Sequence, residues 1–358
     1  MLRLRQIEPT LFAEFSPGRF PSTRYQGSKR KLLPWIASCL HGLEFDSALD
    51  AMSGTAAVAC LFKQLGKQVT ANDRLRANAE IALALIENSG ERLKDADVVQ
   101  AMQRRPGLHY DRFIGETFSG IYFTDEENRW LDLVAQNLAR LRNPYRRALL
   151  RFALFQACLA KRPYNLFHRK NLELRLREVR RGFGNKATWD RPFPDHFRHF
   201  AQEANAAVFD NGRKNRALCE DALGAPGRFD LVYLDPPYLR RDGAGTDYPG
   251  FYHFLEGLCD YSRWPERLDR QSLNLRLQPE PDPWLSADGA RKNFRQLIER
   301  FAESILVVSY RSDGIPSEDE LVSMLKSIGK RVQVFRASPR PYALSRNRDS
   351  QELLFVGI

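Results

Sequence analysis

The chain has 358 residues, of which 43% are hydrophobic, and a formal net charge of +11 from 55 Lys and Arg against 44 Asp and Glu. This hydrophobic content excludes a disordered chain, and no apolar run is long enough for a membrane span. The five widely spaced cysteines form no Cys-x-x-Cys pair, so we expect neither a disulfide framework nor a metal site. Residues 1–20 lack the apolar core of a secretion signal, which makes a cytoplasmic location the default expectation. The excess of positive charge suggests a polyanionic partner.

The first predicted elements form an α/β unit typical of nucleotide-binding folds. In chain order they are a strand over 47–52, the turn Ser53-Gly54-Thr55-Ala56, a helix over 57–65, a strand over 68–71 that leads to Asn72-Asp73, and a helix over 74–88. Asp73 lies 23 positions after Asp50, near the spacing at which an acidic residue reaches a cofactor ribose. On this segment alone, a plain βαβ unit of the core and a cofactor site are equally supported.

Residues 90–205 break this alternation and are predicted to form a mainly helical insert. Thr124 to Glu127 is a capping-box pattern before one helix, and Asn143-Pro144 is a start signal for another. The stretch 151–184 carries nine Lys and Arg against two acidic residues, with aromatic residues between them. Such a mixture suits phosphate contact combined with base stacking, and it also suits a solvated helical face. The candidates for DNA contact in this stretch are Arg162, Tyr164, Arg169 and Lys170.

The α/β pattern resumes after the insert and is predicted to end in an antiparallel hairpin. The predicted elements are strands over 216–219, 229–234 and 304–310, helices near 290–301 and over 317–327, and strands over 331–336 and 352–358. The last two strands have no helix between them, which favours a hairpin. Its connecting loop carries Arg340, Arg346 and Arg348, which we expect to contact a nucleic-acid backbone. The predicted fold class is therefore α/β, with a mostly parallel sheet, a C-terminal antiparallel hairpin and a mainly helical insert.

The tetrapeptide Asp235-Pro236-Pro237-Tyr238 follows the most apolar of these strands. Two prolines fix φ and remove two backbone donors, so the turn is stiff and ends the strand abruptly. In open α/β sheets, ligands bind at the carboxyl ends of the strands. The Asp235 carboxylate and the Pro236 carbonyl can both accept hydrogen bonds from an exocyclic amino group, while Tyr238 can stack on the base. The alternative for these four residues alone is an ordinary strand-to-loop turn.

Several motifs, in this order, resemble those of the Dam-like (class alpha) adenine-specific DNA methyltransferases, which use S-adenosylmethionine. The matching segments are 24–34, with its aromatic, glycine, lysine and Leu-Leu pair, 49–56, the single acids Asp73 and Asp221, the motif 235–238, and the segments 252–256 and 352–355. The chain departs from the family pattern at Met52, where an aromatic is usual, and at Ala56, where the last glycine of the motif is usual.

The resemblance implies a Rossmann-like methyltransferase sheet and assigns roles to named residues. S-adenosylmethionine would be bound by Tyr25, Gly27, Lys29, Asp50, Gly54, Asp73, Asp221 and Asp235, and the catalytic motif would be Asp235, Pro236, Pro237 and Tyr238. The implied reaction transfers a methyl group to adenine N6 in a specific sequence of double-stranded DNA, with the target base flipped out of the helix.

Three parts of the chain are expected on this basis. Residues 1–89 and 206–358 would form the two halves of the catalytic domain, and residues 90–205 the target-recognition insert. The expected partners are double-stranded DNA and a cognate restriction nuclease encoded elsewhere, and we expect a monomer. An RNA adenine N6 enzyme and a DNA cytosine N4 enzyme remain alternatives. A dinucleotide oxidoreductase is disfavoured because no Gly-x-Gly-x-x-Gly fingerprint is present, and a non-enzymatic scaffold is supported only by Met52 and Ala56.

Overall fold

The computed structural model describes residues 20–178, 186–338 and 350–358, and within them seven strands form one sheet. The strands lie in the order β3-β2-β1-β4-β5-β7-β6. Their bounds are β1 Ser47–Asp50, β2 Gln68–Asn72, β3 Arg216–Leu218, β4 Leu231–Leu234, β5 Ile305–Arg311, β6 Val332–Arg336 and β7 Glu352–Gly357. The pairs among β1 to β5 are parallel, and β7 pairs antiparallel with both β5 and β6. This arrangement confirms the predicted fold class, and the strand order reverses between β1 and β4, where α/β folds bind ligands.

The helices of the first half and of the insert precede β3 in the chain. They are α1 Leu33–Cys39, α2 Ala57–Gln64, α3 Arg76–Ala82, α4 Asp95–Ala101, α5 Phe113–Thr117, α6 Asp125–Ala139, α7 Pro144–Ala160, α8 Leu172–Leu176, α9 Lys186–Asp190 and α10 Phe193–Ala207. After the sheet resumes, the helices are α11 Tyr248–Cys259, α12 Ala287–Arg300 and α13 Glu318–Ser327. Within the described ranges, no helix is long and apolar enough to cross a lipid bilayer.

Alternate residues of the central strand β4 belong to the cores on the two faces of the sheet. Leu231 and Tyr233 pack in the core that includes α2 and the insert, whereas Val232 and Leu234 pack against residues of α12 and α13. All four side chains are buried. A strand buried on both faces needs a continuous apolar run, which is the pattern that predicted it. The carboxyl end of β4 therefore delivers Asp235 to the edge of the sheet.

The predicted terminal hairpin is confirmed, because β6 and β7 pair antiparallel over Val332–Arg336. β7 also pairs with β5, which places Glu352 opposite Arg311 near the carboxyl end of β5. The loop cations Arg340, Arg346 and Arg348 lie outside the described residues, so their proposed contact with DNA stays a prediction.

The helical insert is joined to the sheet through α7, which packs against both α10 and α3. The predicted capping box is confirmed at the start of α6, where Thr124 and Glu127 exchange hydrogen bonds with each other's backbone N–H groups. The predicted start of α7 is confirmed as well, since the Asn143 side chain accepts from the Arg146 N–H at 3.0 Å. The division of the chain into catalytic halves and a recognition insert stays a prediction.

Ala56 adopts a left-handed conformation, with φ 60° and ψ 28°, immediately before α2. An L-residue in this region carries a strain of about 1–2 kcal/mol that glycine does not. The alanine that replaces the family's glycine at position 56 therefore causes backbone strain, and it does not change the fold or the pairing of the strands.

We expect Ala56→Gly to destabilise the protein less than Ala59→Gly does. The two losses in the free energy of unfolding should differ by at least about 1 kcal/mol. Both side chains are fully buried and both variants lose one methyl group, but Ala59 lies inside the helix α2. The pair of variants therefore isolates the backbone strain at position 56. Urea unfolding of the three proteins measures it, and equal losses would contradict strain at Ala56.

Candidate active site

A pocket of about 910 Å³, including its open mouth, lies at the carboxyl ends of β1, β2 and β4. All eight residues implied for the cofactor line it: Tyr25, Gly27, Lys29, Asp50, Gly54, Asp73, Asp221 and Asp235. The sheet thus brings together residues that are as much as 210 positions apart in the chain, from Tyr25 to Asp235.

The acids at the ends of β1 and β2 are buried and tied to backbone N–H groups. Asp73 accepts from Gly54 and Leu75, both at 2.8 Å, and so holds the glycine turn against the end of β2. Asp50 accepts from Ala59 through one oxygen at 3.0 Å. Burial raises the pKa of Asp50 well above its ordinary value, and the nearby Asp235 raises it further. A positively charged ligand group beside Asp50 would offset both effects.

Three tyrosines stack on one another beside the pocket, and two of them, Tyr25 and Tyr248, line it. The Tyr25 ring lies 4.3 Å from that of Tyr252 and 5.6 Å from that of Tyr248, and both pairs are nearly parallel. Gly27 adopts φ 81°, and a Cβ there would lie only 2.5 Å from the Tyr248 hydroxyl oxygen. The glycine is therefore required both by its backbone conformation and by the close approach of α11. The sequence indicated Tyr25 and Gly27 and placed Tyr252 in a family segment without a role, but it did not indicate Tyr248.

Asp221 stands apart from the other acids. Its side chain is exposed, and it caps the short turn Ala222–Gly224 by accepting from the Leu223 N–H at 2.9 Å. The residue nevertheless lines the rim of the pocket at the end of β3.

The catalytic-motif carboxylate Asp235 is paired with a buried lysine. The Lys29 ammonium lies 2.8 Å from each oxygen of Asp235 and donates to the Tyr238 hydroxyl at 2.6 Å. Burial lowers the pKa of Lys29, but Asp235 and Glu352 more than offset it, so the pKa lies above its ordinary value. Burial raises the pKa of Asp235 to about 6, against the lowering effect of Lys29. Asp235 is consequently a carboxylate at neutral pH, with both oxygens engaged by one cation.

Glu352 completes this network from the opposite strand. Its carboxylate lies 3.4 Å from the Lys29 ammonium and accepts from the hydroxyls of Tyr238 and Ser309, both at 2.5 Å. Sequence reasoning included Glu352 in a family segment but gave it no role. In the sequence, Glu352 is visible only as an acidic residue at the start of an apolar strand. That pattern does not reveal which side chains the carboxylate contacts.

The Tyr238 side chain is held at its hydroxyl end by Lys29 and Glu352 and at its ring by Tyr310. The two rings meet edge to face, with centroids 5.2 Å apart. Pro237 lines the same pocket. The tetrapeptide thus reaches the pocket on one side and presents a fixed aromatic ring on the other.

Comparison with known proteins assigns this chain to a family. Residues 25–257 match a family model described as D12 class N6 adenine-specific DNA methyltransferase, and that range holds more than half of the 358 residues. The chain belongs to this family. The matched range includes the glycine turn at Gly54 and the Asp-Pro-Pro-Tyr motif.

The D12-class methyltransferase is also similar to three curated proteins. It is 31% identical over 354 residues to the Type II methyltransferase M2.HphI of Haemophilus parahaemolyticus, covering 94% of this chain and 98% of that protein. It is 26% identical to the modification methylase StsI of Streptococcus sanguinis, over 93% of this chain and 51% of that protein. It is 25% identical to the Type II methyltransferase M.FokI of Planomicrobium okeanokoites, over 92% of this chain and 50% of that protein. The chain spans about half the length of the last two.

The activity of this D12-class methyltransferase is site-specific methylation of adenine N6 in DNA. The predicted family, enzyme class and reaction are therefore confirmed. Of the alternatives, the family decides against methylation of RNA adenine and of cytosine N4. It also decides against a dinucleotide oxidoreductase.

The predicted DNA contacts of the methyltransferase divide into exposed and buried residues. Tyr164, Arg169 and Lys170 are exposed, and Tyr164 adopts a left-handed φ of 63°. Arg162 is only 1% exposed, and its guanidinium donates to the backbone carbonyls of Leu166, Tyr122 and Arg169. The prediction for Arg162 is corrected: a guanidinium enclosed by carbonyl groups holds the turn after α7 and does not reach a phosphate.

Other cations of the basic stretch are also structural. Arg151 is buried against Glu80, and Lys161 and Arg175 both pair with Glu127, at 2.8 Å and 2.7 Å. The positive charge of residues 151–184 is therefore partly neutralised inside the insert. Among the described residues of this stretch, Arg169, Lys170 and Arg177 are exposed cations.

Proposed function

We propose that S-adenosylmethionine is the methyl donor and that the target adenine is flipped out of duplex DNA onto the Asp-Pro-Pro-Tyr motif. The observation that carries this proposal is the position of Asp235. It lines the pocket at the sheet's switch point and belongs to the same rigid turn as Tyr238, outside that pocket. The Asp235 carboxylate therefore lies between the proposed cofactor in the pocket and the proposed target base on Tyr238.

The residues of the pocket suit a ligand with several polar groups and a positive charge. Among the described atoms, Asp50 Oδ1, Ser53 Oγ and Gln26 Oε1 are buried without a hydrogen-bond partner, and all three residues line the pocket. Buried polar atoms of this kind require partners. The amino group, ribose hydroxyls and sulfonium of S-adenosylmethionine offer the donors and the positive charge these oxygens lack. When bound, the cofactor supplies an activated methyl group.

Asp235 and its neighbours hold the amino group of the target. Adenine N6 is a poor nucleophile because its lone pair is delocalised into the ring. Hydrogen bonds from N6–H to Asp235 and to the Pro236 carbonyl favour a pyramidal nitrogen and stabilise the positive charge that develops on it. The Lys29 ammonium lies 2.8 Å from each oxygen of Asp235. Each carboxylate oxygen can accept a second hydrogen bond, so Asp235 can hold the amino group while it stays paired with Lys29.

Tyr238 provides the surface for the flipped base. Flipping costs a few kcal/mol, which stacking on an aromatic ring partly offsets. Because Lys29, Glu352 and Tyr310 fix the Tyr238 side chain, little further ordering of the ring is required when the base arrives.

The insert supplies the contact with the rest of the duplex. Arg169 and Lys170 are proposed to bind phosphates, and Tyr164 to contact a base or sugar beside them. The relatives' names support a place in restriction and modification, so a cognate restriction nuclease is proposed as the functional partner. We further propose a monomer in which residues 90–205 carry target recognition.

Neutralising two exposed cations tests the proposed DNA surface. Arg169→Gln/Lys170→Gln is expected to reduce the slope of log K against log salt by about 1.8, since each phosphate contact contributes about 0.9. The matched control is Lys214→Gln/Lys326→Gln. These are exposed lysines that precede β3 and β6, at the amino ends of strands. Fluorescence anisotropy on a duplex at several salt concentrations gives the slopes, and the same slope for both double variants would exclude this surface.

The donor and the substrate are tested in one labelling experiment. Purified protein is incubated with radiolabelled S-adenosylmethionine and unmethylated plasmid DNA, with total RNA and an Asp235→Ala variant in parallel, and the products are digested to nucleosides. Labelled N6-methyladenine from DNA, absent with the variant, is expected. Label in RNA alone, or equal label from the variant, would overturn the proposal.

A further inference from the structure

The segment 280–285 contributes Asp282 and Trp284 to one wall of the pocket, although it lies outside the range matched by the family. Asp282 and Trp284 line the pocket beside Arg74. The Asp282 carboxylate caps the short turn that follows by accepting from the Trp284 N–H at 3.0 Å. Trp284 packs edge to face on Phe294 of α12, with centroids 5.3 Å apart. The outer side of this wall is therefore fixed to the core beneath it.

Arg74 connects the wall to the other side of the pocket. It directly follows Asp73 at the end of β2, and its guanidinium lies 3.1 Å from the Glu280 carboxylate and 3.7 Å from that of Asp282. The Glu280 side chain is 75% exposed, whereas that of Asp282 is 8% exposed. The pair with Asp282 is thus less screened by solvent and is the one that holds the wall in place.

The connection stands at the end of the pocket away from the catalytic carboxylate. Arg74 follows β2 and Asp221 follows β3, whereas Asp235 follows β4, and β1 lies between β2 and β4. The helix α12, which continues from the wall, packs on the turn Ala222–Gly224 after β3. In such folds the acid after the second strand binds a ribose, and here that acid is Asp73, so the adenosyl part of the ligand belongs at this end.

We propose that Arg74, Asp282 and Trp284 form an adenosyl clamp, an inference that rests on S-adenosylmethionine being the cofactor. Arg74 draws the wall toward the end of β2, and the indole and its neighbours then exclude water from the nucleoside. Closing this end slows release of the ligand without touching the reacting atoms. The residues of the clamp set cofactor affinity and have no part in the chemistry at Asp235.

The test measures binding of two ligands, S-adenosylhomocysteine and methylthioadenosine, by calorimetry and stopped-flow fluorescence. Arg74→Ala is expected to weaken both by about three- to ten-fold, chiefly through faster dissociation. The affinities for the two ligands are expected to fall by the same factor, because both ligands carry the nucleoside. Only S-adenosylhomocysteine carries the amino-acid part. Asp282→Asn keeps an acceptor for the Trp284 N–H and removes the charge, so it is expected to reproduce the loss. In the double variant the two effects should not add, since both break one contact.

The control is Arg76→Ala, which removes an arginine two positions away whose partner is Asp260 and which does not line the pocket. It is expected to leave both dissociation constants unchanged. Additive losses from Arg74 and Asp282, or a loss confined to S-adenosylhomocysteine, would overturn the clamp while leaving the cofactor in place. Absence of binding by the unmodified protein would overturn the proposed cofactor and the clamp with it.

Discussion

Asp235→Asn is expected to reduce the rate of methyl transfer at saturating cofactor and DNA by about 100- to 1,000-fold, the usual effect of removing one charge-stabilising group. The amide keeps the shape of the side chain but offers a single acceptor oxygen and no negative charge. It therefore cannot stabilise the charge that develops on N6. Single-turnover kinetics with a methylatable duplex measure this directly.

Binding provides the control for that variant. Lys29 retains Glu352 as a partner at 3.4 Å, so the fold and the affinity for S-adenosylhomocysteine are expected to change little. The matched substitution is Asp230→Asn, at the amino end of β4, where the carboxylate accepts from the N–H groups of Asp46 and Ser47. That variant is expected to transfer methyl groups at the normal rate. Comparable rates for the two variants would contradict the role of Asp235.

Lys29→Met is expected to lower the free energy of unfolding by about 3–5 kcal/mol, because it leaves two buried carboxylates without their shared cation. It should also change the pH dependence of methylation. The pKa of Asp235 is about 6, and the reaction requires the carboxylate, so the activity of the normal enzyme falls as the pH drops through 6. Lys29 opposes the rise of this pKa. Its removal raises the pKa further and moves the acid limb of the profile to higher pH.

A second substitution separates charge from packing at this position. Lys29→Met/Glu352→Gln removes one of the two carboxylate charges, while the new side-chain amide keeps an acceptor for Tyr238 and Ser309. Part of the lost stability is expected to return, and the acid limb should shift back toward pH 6. Urea unfolding and the pH profile of kcat/KM report the two effects. An unshifted profile in Lys29→Met would refute the coupling between lysine and aspartate.

Much of the sheet could be predicted because its signals are local. The apolar run of β4 closed by two prolines, the capping box before α6 and the missing helix between the last two strands each depend on neighbouring residues, and each is confirmed. The acids at the strand ends then follow from the rule that parallel strands present their carboxyl ends on one edge.

The contacts between distant segments could not be predicted in this way. A cationic stretch in the sequence does not reveal that the Arg162 guanidinium donates hydrogen bonds to backbone carbonyl groups. Only the path of the chain after α7 brings these carbonyl groups around Arg162. Glu352 likewise reads as part of a strand until pairing with β5 turns it toward Lys29. Asp282 and Trp284 lie in a segment without a motif, and only the folded chain places them at the cofactor pocket.

The network of Lys29, Asp235, Tyr238 and Glu352 also bears on synthesis of the chain by the ribosome. Its first member, Lys29, precedes α1, its last lies in β7, and β7 must enter the sheet between β5 and β6. Domains generally fold as units during synthesis. A growing polypeptide that contains the Asp-Pro-Pro-Tyr motif but not yet β7 therefore lacks the carboxylate that holds its tyrosine, and we expect methylation competence only after β7 has been made.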